Sequence, residues 1–258
     1  MKIDLSDKTI IITGALGAIS EAVVRALIEA GAYMILTDAQ SPADAARIIE
    51  ERGHDPRRCE YHQMDVTDAQ AVHRIVDACF ARHPKINIAL SHAGGTRIEH
   101  FADTSDASFD KVVAFNLLGP VYFSRAVLRH WSASKTKGHL IFTSTYISKF
   151  PWKGISGYTA AKAGVDMFSK SIALEYAPLG IRSNVVAPGN VAAGSSKLLY
   201  ETDADYRRDV DKMSPLGHRN SPESIANAFL YLCSPLADEV TGAYLNVDAG
   251  VGLPKVQD

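Results

Sequence analysis

Cysteine is scarce in this chain of 258 residues, and where it occurs it forms no pattern. Cys59, Cys79 and Cys233 lie far apart, in odd number, without CxxC or Cys/His ligand spacing. That argues against a disulfide scaffold and a zinc site, and it fits a reducing compartment. Charge of one sign is scarce as well: 27 Lys and Arg stand against 29 Asp and Glu, a net of −2. A nucleic-acid binder carries clustered cations, whereas pairs such as Arg57-Arg58 and Arg207-Arg208 have acids nearby and read as solvated surface. The nine His are scattered and no HExxH occurs, so no metal is expected. No apolar run reaches the ~18 residues of a membrane span, and residues 1–7 are too polar for a signal peptide. The expectation is a cytoplasmic protein with neither a membrane nor a nucleic-acid partner. Internal repeats, low-complexity tracts and linkers are missing too.

What is present is a balanced globular composition, 47% apolar and 22% charged. A chain of this length buries roughly three quarters of its unfolded surface and needs no covalent or metal staple. Strand-like and helix-like segments alternate along it. Short apolar runs at Thr9–Thr13, 33–37, 61–64, 86–90, His139–Thr143, 183–186 and 243–247 read as strands. Helical periodicity covers 19–30, 42–52, 68–82, a long stretch 106–131, 157–176, 196–203 and 225–232. In 68–82, Val72, Ile75, Val76, Cys79 and Phe80 repeat at i, i+3, i+4, i+7 and i+8. The strands are apolar on both faces, as buried parallel strands are. Strict alternation of this kind predicts an α/β chain with a single-domain Rossmann fold over 1–258, a doubly wound seven-stranded parallel sheet with helices on both faces. The least patterned stretch, 190–222, is read as a lid over a site at the C-terminal edge of the sheet, with an ordinary surface excursion as the alternative.

The first strand runs into Thr13-Gly14-Ala15-Leu16-Gly17-Ala18-Ile19-Ser20, which opens the first helix. Free N–H groups and the positive end of the helix dipole suit a pyrophosphate there. Gly14, Leu16, Gly17, Ala18 and Ile19 are therefore candidate cofactor-binding residues. The second strand ends at Asp38, where a carboxylate accepts hydrogen bonds from the adenosine ribose hydroxyls and repels a 2′-phosphate. That points to NAD rather than NADP. Further along, Tyr158-Thr159-Ala160-Ala161-Lys162 starts a helix. Its Tyr and Lys lie about 40° apart around the axis and about 6 Å along it. A cation so placed favours the phenolate, and such a Tyr passes a proton to or from a carbinol oxygen.

Taken in order, TGALGAI at 13–19, Asp38, Met64-Asp65-Val66, Ala93-Gly94, Phe115-Asn116, Thr143-Ser144-Thr145, YTAAK at 158–162, Pro188-Gly189 and Thr241-Gly242 with Val247-Asp248 make the chain resemble the short-chain dehydrogenase/reductase family. The resemblance spans residues 7–252. It implies a catalytic set of Asn116, Thr145, Tyr158 and Lys162: Asn116 breaks a helix and holds a water in a proton relay, Tyr158 is the acid/base, and Lys162 binds ribose and tunes Tyr158. It further implies that Asp65 and Val66 flank the adenine. His92, Ala93, Gly94 and Ser144 would line the cofactor, and Pro188, Gly189 and Val191 would hold its carboxamide end. The family's serine spacing falls on Thr145, with Ser144 one position earlier, and either hydroxyl suits the substrate oxygen. Departures are Ala18 and Ser20 for two glycines, His92 for an asparagine, and Ala193 for a threonine. Ser20 either brings a hydroxyl near a phosphate or crowds helix against strand. His92 is either a titrating group beside the cofactor or a buried, satisfied ring.

The substrate expected from the family is a small-molecule alcohol or ketone, met by Gly95, Thr96, Tyr146, Trp152, Ile155 and Leu198, with Tyr146 and Trp152 equally readable as packing residues. A homotetramer through 158–176 and 221–247 also follows from the resemblance. Two other readings stand beside this one. The first is a cofactor-independent lyase of halohydrin-dehalogenase type, towards which Ala18 and Ser20 lean and against which Lys162 and Asp38 weigh. The second is a non-catalytic dinucleotide-binding module.

Overall fold

In a computed structural model, residues 3–96 and 98–253 are described; residues 1, 2, 97 and 254–258 of the expected domain lie outside the described residues. Seven strands, β1 (Thr9–Thr13), β2 (Tyr33–Asp38), β3 (Cys59–Gln63), β4 (Ile86–Ser91), β5 (His139–Thr143), β6 (Arg182–Pro188) and β7 (Tyr244–Val247), form one parallel sheet in the order β3-β2-β1-β4-β5-β6-β7. The order reverses between β1 and β4, and at such a switch point the loops leaving the strands splay apart and leave a crevice.

Side chains alternate across the sheet with period two. Ile10 and Ile12 of β1 enter the layer formed by α1 (Ala18–Glu29) and α9 (Pro222–Cys233). Ile11 enters the opposite layer with α3 (Ala69–Arg82), α5 (Gly119–Ser134) and α6 (Ser156–Tyr176). Met34 and Leu36 against Ile35, and Leu90 against Ala89, repeat the split. Both faces of the sheet are thus dry, as the doubly apolar strands require. Trp131 is fully buried in the second layer, and its indole N–H donates to the Ile86 carbonyl at 2.8 Å.

The sequence reading departs from the structure where polar residues carry the element. Strand β3 begins at Cys59 rather than 61, because Glu60 and His62, bonded to each other on one face, interrupt its apolar pattern. Asp68 stands outside α3 as its cap, accepting from the N–H groups of Gln70 and Ala71. The single helix expected over 106–131 is three pieces: α4 (Asp106–Val113), a wide π-type turn (Ala114–Leu118), and α5. The stretch 190–222 holds two helices, α7 (Gly194–Thr202) and α8 (Ala204–Asp211), of which only the first was legible. Only Val210 of α8 is buried, so no apolar stripe announces it; Asp203 caps it through the N–H groups of Asp205 and Tyr206. The remaining helix, α2 (Pro42–Glu51), starts behind the Ser41 cap.

A buried histidine gives the fold a pH dependence. His139 is 3% exposed, and its Nε2 accepts from the Asn184 amide at 2.8 Å. Burial, aided by the Arg182 guanidinium, holds its imidazole well below the usual range. The folded pKa lies under the unfolded value of about 6.5, so this stability is complete above that pH and is lost as pH falls towards the folded pKa. Unfolding free energy is expected to fall between about pH 7 and pH 5 by at most about 1.4 kcal/mol per pH unit for this group, and the melting temperature with it. The slope should be shallower in His139→Gln; equal slopes would contradict the assignment.

Candidate active site

The crevice at the switch point is a cleft of about 510 Å³. One end is built by the turn between β1 and α1. Gly14 adopts φ +67°, and a side chain there would bring a Cβ within 2.7 Å of the Ala93 backbone. Only glycine fits both demands. Ser20 lies fully buried and donates its hydroxyl to the Gly14 carbonyl at 2.5 Å. Its hydrogen is therefore engaged in closing the turn and is not offered to a phosphate, and the extra side chain braces the loop. Helix α1 has Gly17 at its N-cap and no side-chain cap. Gly17, Ala18 and Ile19 line the cleft at this uncapped helix start.

Asp38 ends β2 beside this turn. One carboxylate oxygen accepts the Ala39 N–H at 2.8 Å and the other the Leu16 N–H at 3.0 Å. Leu16 itself is not among the cleft-lining residues; its carbonyl accepts from Arg52 at 2.7 Å, so it braces Asp38 from behind. Asp65 and Val66 line the neighbouring wall, with Asp65 turned onto the Thr67 N–H and hydroxyl. His92, Ala93 and Gly94 follow β4, and the Thr13 hydroxyl oxygen accepts from the N–H groups of both His92 and Ala93. The His92 ring bonds Thr143 Oγ1 through Nδ1 at 2.7 Å. Burial, with Lys162 nearby, pushes its pKa down to about 4, which makes it a satisfied neutral ring.

Asn116 is fully buried behind the wall and does not line the cleft. It sits in the π-type turn, its amide donating to the carbonyls of Gly95 and Val112 while its oxygen accepts the Gly95 N–H. The helix break and the hold on the loop after β4 are thus one feature. Gly94 is pinned from the other side: a Cβ there would lie 2.9 Å from Lys162 Nζ.

The other end of the cleft holds Ser144, Thr145, Tyr158 and Lys162. Tyr158 and Lys162 leave the first turns of α6 on one face, with the ammonium 5.8 Å from the phenol ring centre. Lys162 is 2% exposed and donates to the Thr143 carbonyl at 2.9 Å. Burial pulls its pKa down to about 8, against the opposing charge of Asp166. Burial pushes the Tyr158 phenol up to about 12, and hydrogen bonding with Thr145 works the other way. Thr145, whose hydroxyl oxygen accepts the Ile147 N–H at 3.3 Å, is the neighbour that favours the phenolate, while Ser144 Oγ is buried with no partner among the described residues. Pro188, Gly189 and Val191 follow β6 along the adjoining wall.

Beyond Tyr158 the lining includes Gly95, Thr96, Tyr146, Trp152 and Ile155, as expected. Leu198 does not join them: it is 61% exposed, and the next residue of α7, Leu199, lines the cleft instead. A one-residue error turns a helical side chain by about 100°. Asn190 and Tyr206 also line this end, and Tyr206 tilts against Trp152 with ring centres 6.4 Å apart. Sequence reasoning missed Tyr206 because α8 itself was not visible. No group of three or more His, Cys, Asp or Glu among the described residues is placed to hold a metal ion.

Comparison with known proteins adds the following. The profile of a family described as enoyl-(acyl carrier protein) reductase matches residues 14–252. Cis-4-hydroxycyclohexanecarboxylate dehydrogenase of Sinomonas cyclohexanicum is 32% identical over 249 residues, covering 95% of this chain and 96% of the relative. The crystal structure of a short-chain type dehydrogenase/reductase from Mycobacterium marinum is 29% identical, with a TM-score of 0.88 over 97% of this chain and 98% of that one. A structure from Agrobacterium tumefaciens with bound NADP is 27% identical, with a TM-score of 0.86 over the same 97% and 98%.

Proposed function

The chain belongs to the short-chain dehydrogenase/reductase family, whose members use a nicotinamide dinucleotide, and from that premise we propose an NAD-dependent oxidoreductase interconverting a secondary alcohol, or a polyol or sugar hydroxyl, with the ketone. The observation that carries this reading is one cleft with an anion-ready turn and Asp38 at one end and Thr145, Tyr158 and Lys162 at the other.

The residues present fit a dinucleotide. The uncapped start of α1 offers N–H donors to a pyrophosphate, and Gly14 leaves the backbone open to close approach. Asp38 keeps lone pairs for ribose hydroxyls beyond its two backbone bonds. Among the described residues no Lys or Arg lines the cleft beside it, and Arg52 is turned onto the Leu16 carbonyl. A phosphate about 4 Å from that carboxylate is opposed by about 4 kcal/mol per unit charge at an effective dielectric near 20. A third of this, after solvent screening, still gives about tenfold preference for NAD. The NADP of the Agrobacterium structure belongs to that protein.

The cofactor, when bound, supplies the acceptor or donor of hydride. The chain supplies the proton and the geometry. Thr145 holds the substrate oxygen, Tyr158 takes or returns the proton, and Lys162 favours the phenolate while it is charged. Asn116 keeps the loop at Gly95 and the helix break in register; its side-chain amide and oxygen are taken up by Gly95 and Val112, so the relay water expected of it finds no free amide hydrogen there. Residues 190–222, with α7 and α8, act as a lid whose Leu199 and Tyr206 close the substrate end. The mixture of Ile155, Trp152, Tyr146 and Asn190 suits a medium-sized, partly apolar substrate carrying further polar groups.

A homotetramer through α6 and the segment from α9 to β7 completes the proposal. Met167, Leu174 and Tyr231 expose apolar surface there. The cytoplasmic reading rests on three free, buried cysteines; no helix among the described residues is long and apolar enough to cross a membrane. The test is NAD reduction across a panel of secondary alcohols, polyols and sugars. Turnover on at least one is expected, and dinucleotide binding without turnover on any would contradict the enzyme reading.

A further inference from the structure

A buried carboxylate outside the cleft is wired to both halves of the catalytic end. Asp166 lies one turn after Lys162 on α6 and is 3% exposed. The Ser148 hydroxyl donates to its Oδ2 at 2.6 Å. Ser148 closes the short turn that begins at Thr145, and its Oγ is 2.8 Å from the Thr145 carbonyl and 2.9 Å from the Tyr244 hydroxyl. Tyr244 reaches in from β7 and donates to the same Thr145 carbonyl at 2.8 Å. A carboxylate only accepts, so the Ser148 proton goes to Asp166 and the Tyr244 proton fixes the Thr145 peptide.

The arrangement is a poor way to gain stability. The other carboxylate oxygen of Asp166 is buried with no hydrogen-bond partner among the described residues, and an unsatisfied buried acceptor is destabilising. Three titratable groups face the charge: Lys149 at 3.5 Å from beyond the turn, the Tyr244 phenol from β7, and Lys162 from its own helix. Lys149 also lies over the Tyr244 ring, 4.8 Å from its centre. Lys162 in turn is faced by Asp166, by the Tyr158 phenol and by His92, which stays neutral.

We propose that Asp166 is a positioning residue: through Ser148 and Tyr244 it fixes the Thr145 turn against α6, and, one helical turn from Lys162, it sets a negative charge against that buried ammonium. This rests on the oxidoreductase reading for its consequence in turnover, though not for its effect on Lys162. The balance of charges gives the sign. Burial lowers the Lys162 pKa and the Asp166 charge opposes it, the net being about 8, so removing that charge lowers the Lys162 pKa further. A neutral lysine no longer favours the phenolate, and alcohol oxidation slows.

The test begins with the full chain and no added ligand. The Lys162 titration is followed by NMR of lysine-labelled protein, with the resonance assigned by its loss in Lys162→Met. Asp166→Asn keeps the shape and still accepts from Ser148, so a packing role survives it. The expected result is a Lys162 midpoint lower by about one unit or more, and kcat for alcohol oxidation near pH 8 lower by about tenfold. Ser148→Ala and Tyr244→Phe keep the charge; they should leave the midpoint in place and lower kcat with KM nearly constant. An Asn variant with the wild-type midpoint and pH profile overturns the proposal, even if it melts earlier, and so does full kcat in both clamp variants. If the Asn variant does not fold, the clamp variants decide alone. If the wild-type chain transfers no hydride to or from any substrate, the functional reading fails, while the Lys162 midpoint still reports whether Asp166 acts on it.

Discussion

Replacing Tyr158 by Phe is expected to lower kcat by about 10²- to 10⁴-fold, the range lost when a positioned acid/base is removed. Cofactor affinity should change little, because the phenol oxygen is the only atom deleted and Lys162 retains its bond to the Thr143 carbonyl. The reason for the size lies in the site itself. Burial, only partly offset by Thr145, holds the phenol at about 12, the wrong side of neutrality for a base. Proton transfer near neutral pH needs the phenolate to be favoured by several kcal/mol, at about 1.4 kcal/mol per pKa unit. The charged Lys162, its ammonium 5.8 Å from the ring centre, is the group at hand to contribute. Lys162→Met should therefore move the acid limb of the pH–rate profile for alcohol oxidation upwards, where Tyr158→Phe removes that limb altogether. A Phe variant that turns over within a few fold of wild type would remove Tyr158 from the chemistry.

The second large effect concerns Asp38. Asp38→Ser combined with Ala39→Arg is expected to raise NADPH affinity by about ten- to a hundredfold and to weaken NADH. The carboxylate's repulsion is then replaced by a guanidinium that pairs with phosphate. The serine is shorter and carries a single oxygen, so it does not reproduce the carboxylate's bond to the Leu16 N–H together with the ribose contact proposed for it, and some loss of turn rigidity accompanies the switch. Isothermal titration of both nucleotides at fixed salt reads this directly. Unchanged NADPH affinity in the double variant would mean that the adenosine ribose does not lie against Asp38.

The sheet order and the two apolar layers were legible because buried parallel strands and amphipathic helices announce themselves by period. The ends of the cleft were legible for a different reason: glycine at a positive φ, an acid at the end of β2, and a Tyr–Lys pair at helical spacing are local patterns with few alternatives. What stayed hidden depended on partners distant in sequence. The engagement of Ser20 with Gly14 and of His92 with Thr143 is a matter of which atoms tertiary packing brings together, whereas Thr145 was already favoured over Ser144 by its spacing from Tyr158. Helix α8 and its Tyr206 were invisible because a polar helix over a cleft buries almost nothing on the protein side. Leu198 and Leu199 are adjacent leucines that helical phase alone separates. The π-type turn at Asn116 interrupts a hydrophobic period that otherwise continues unbroken, and its cause, the grip on Gly95, lies at the end of another strand.

The central claim is that the cleft between the Gly14 turn and Tyr158 is a site for NAD. The most direct measurement is a pair of titrations of the wild-type chain, NADH and NADPH at one salt concentration, read by energy transfer from protein tyrosine and tryptophan to the reduced nicotinamide. The account predicts saturable NADH binding with NADPH at least about tenfold weaker, which would also show that Ala18 and Ser20 are compatible with the phosphate turn. Binding of neither nucleotide would contradict the account and leave the lyase reading; equal binding of both would contradict the role given to Asp38.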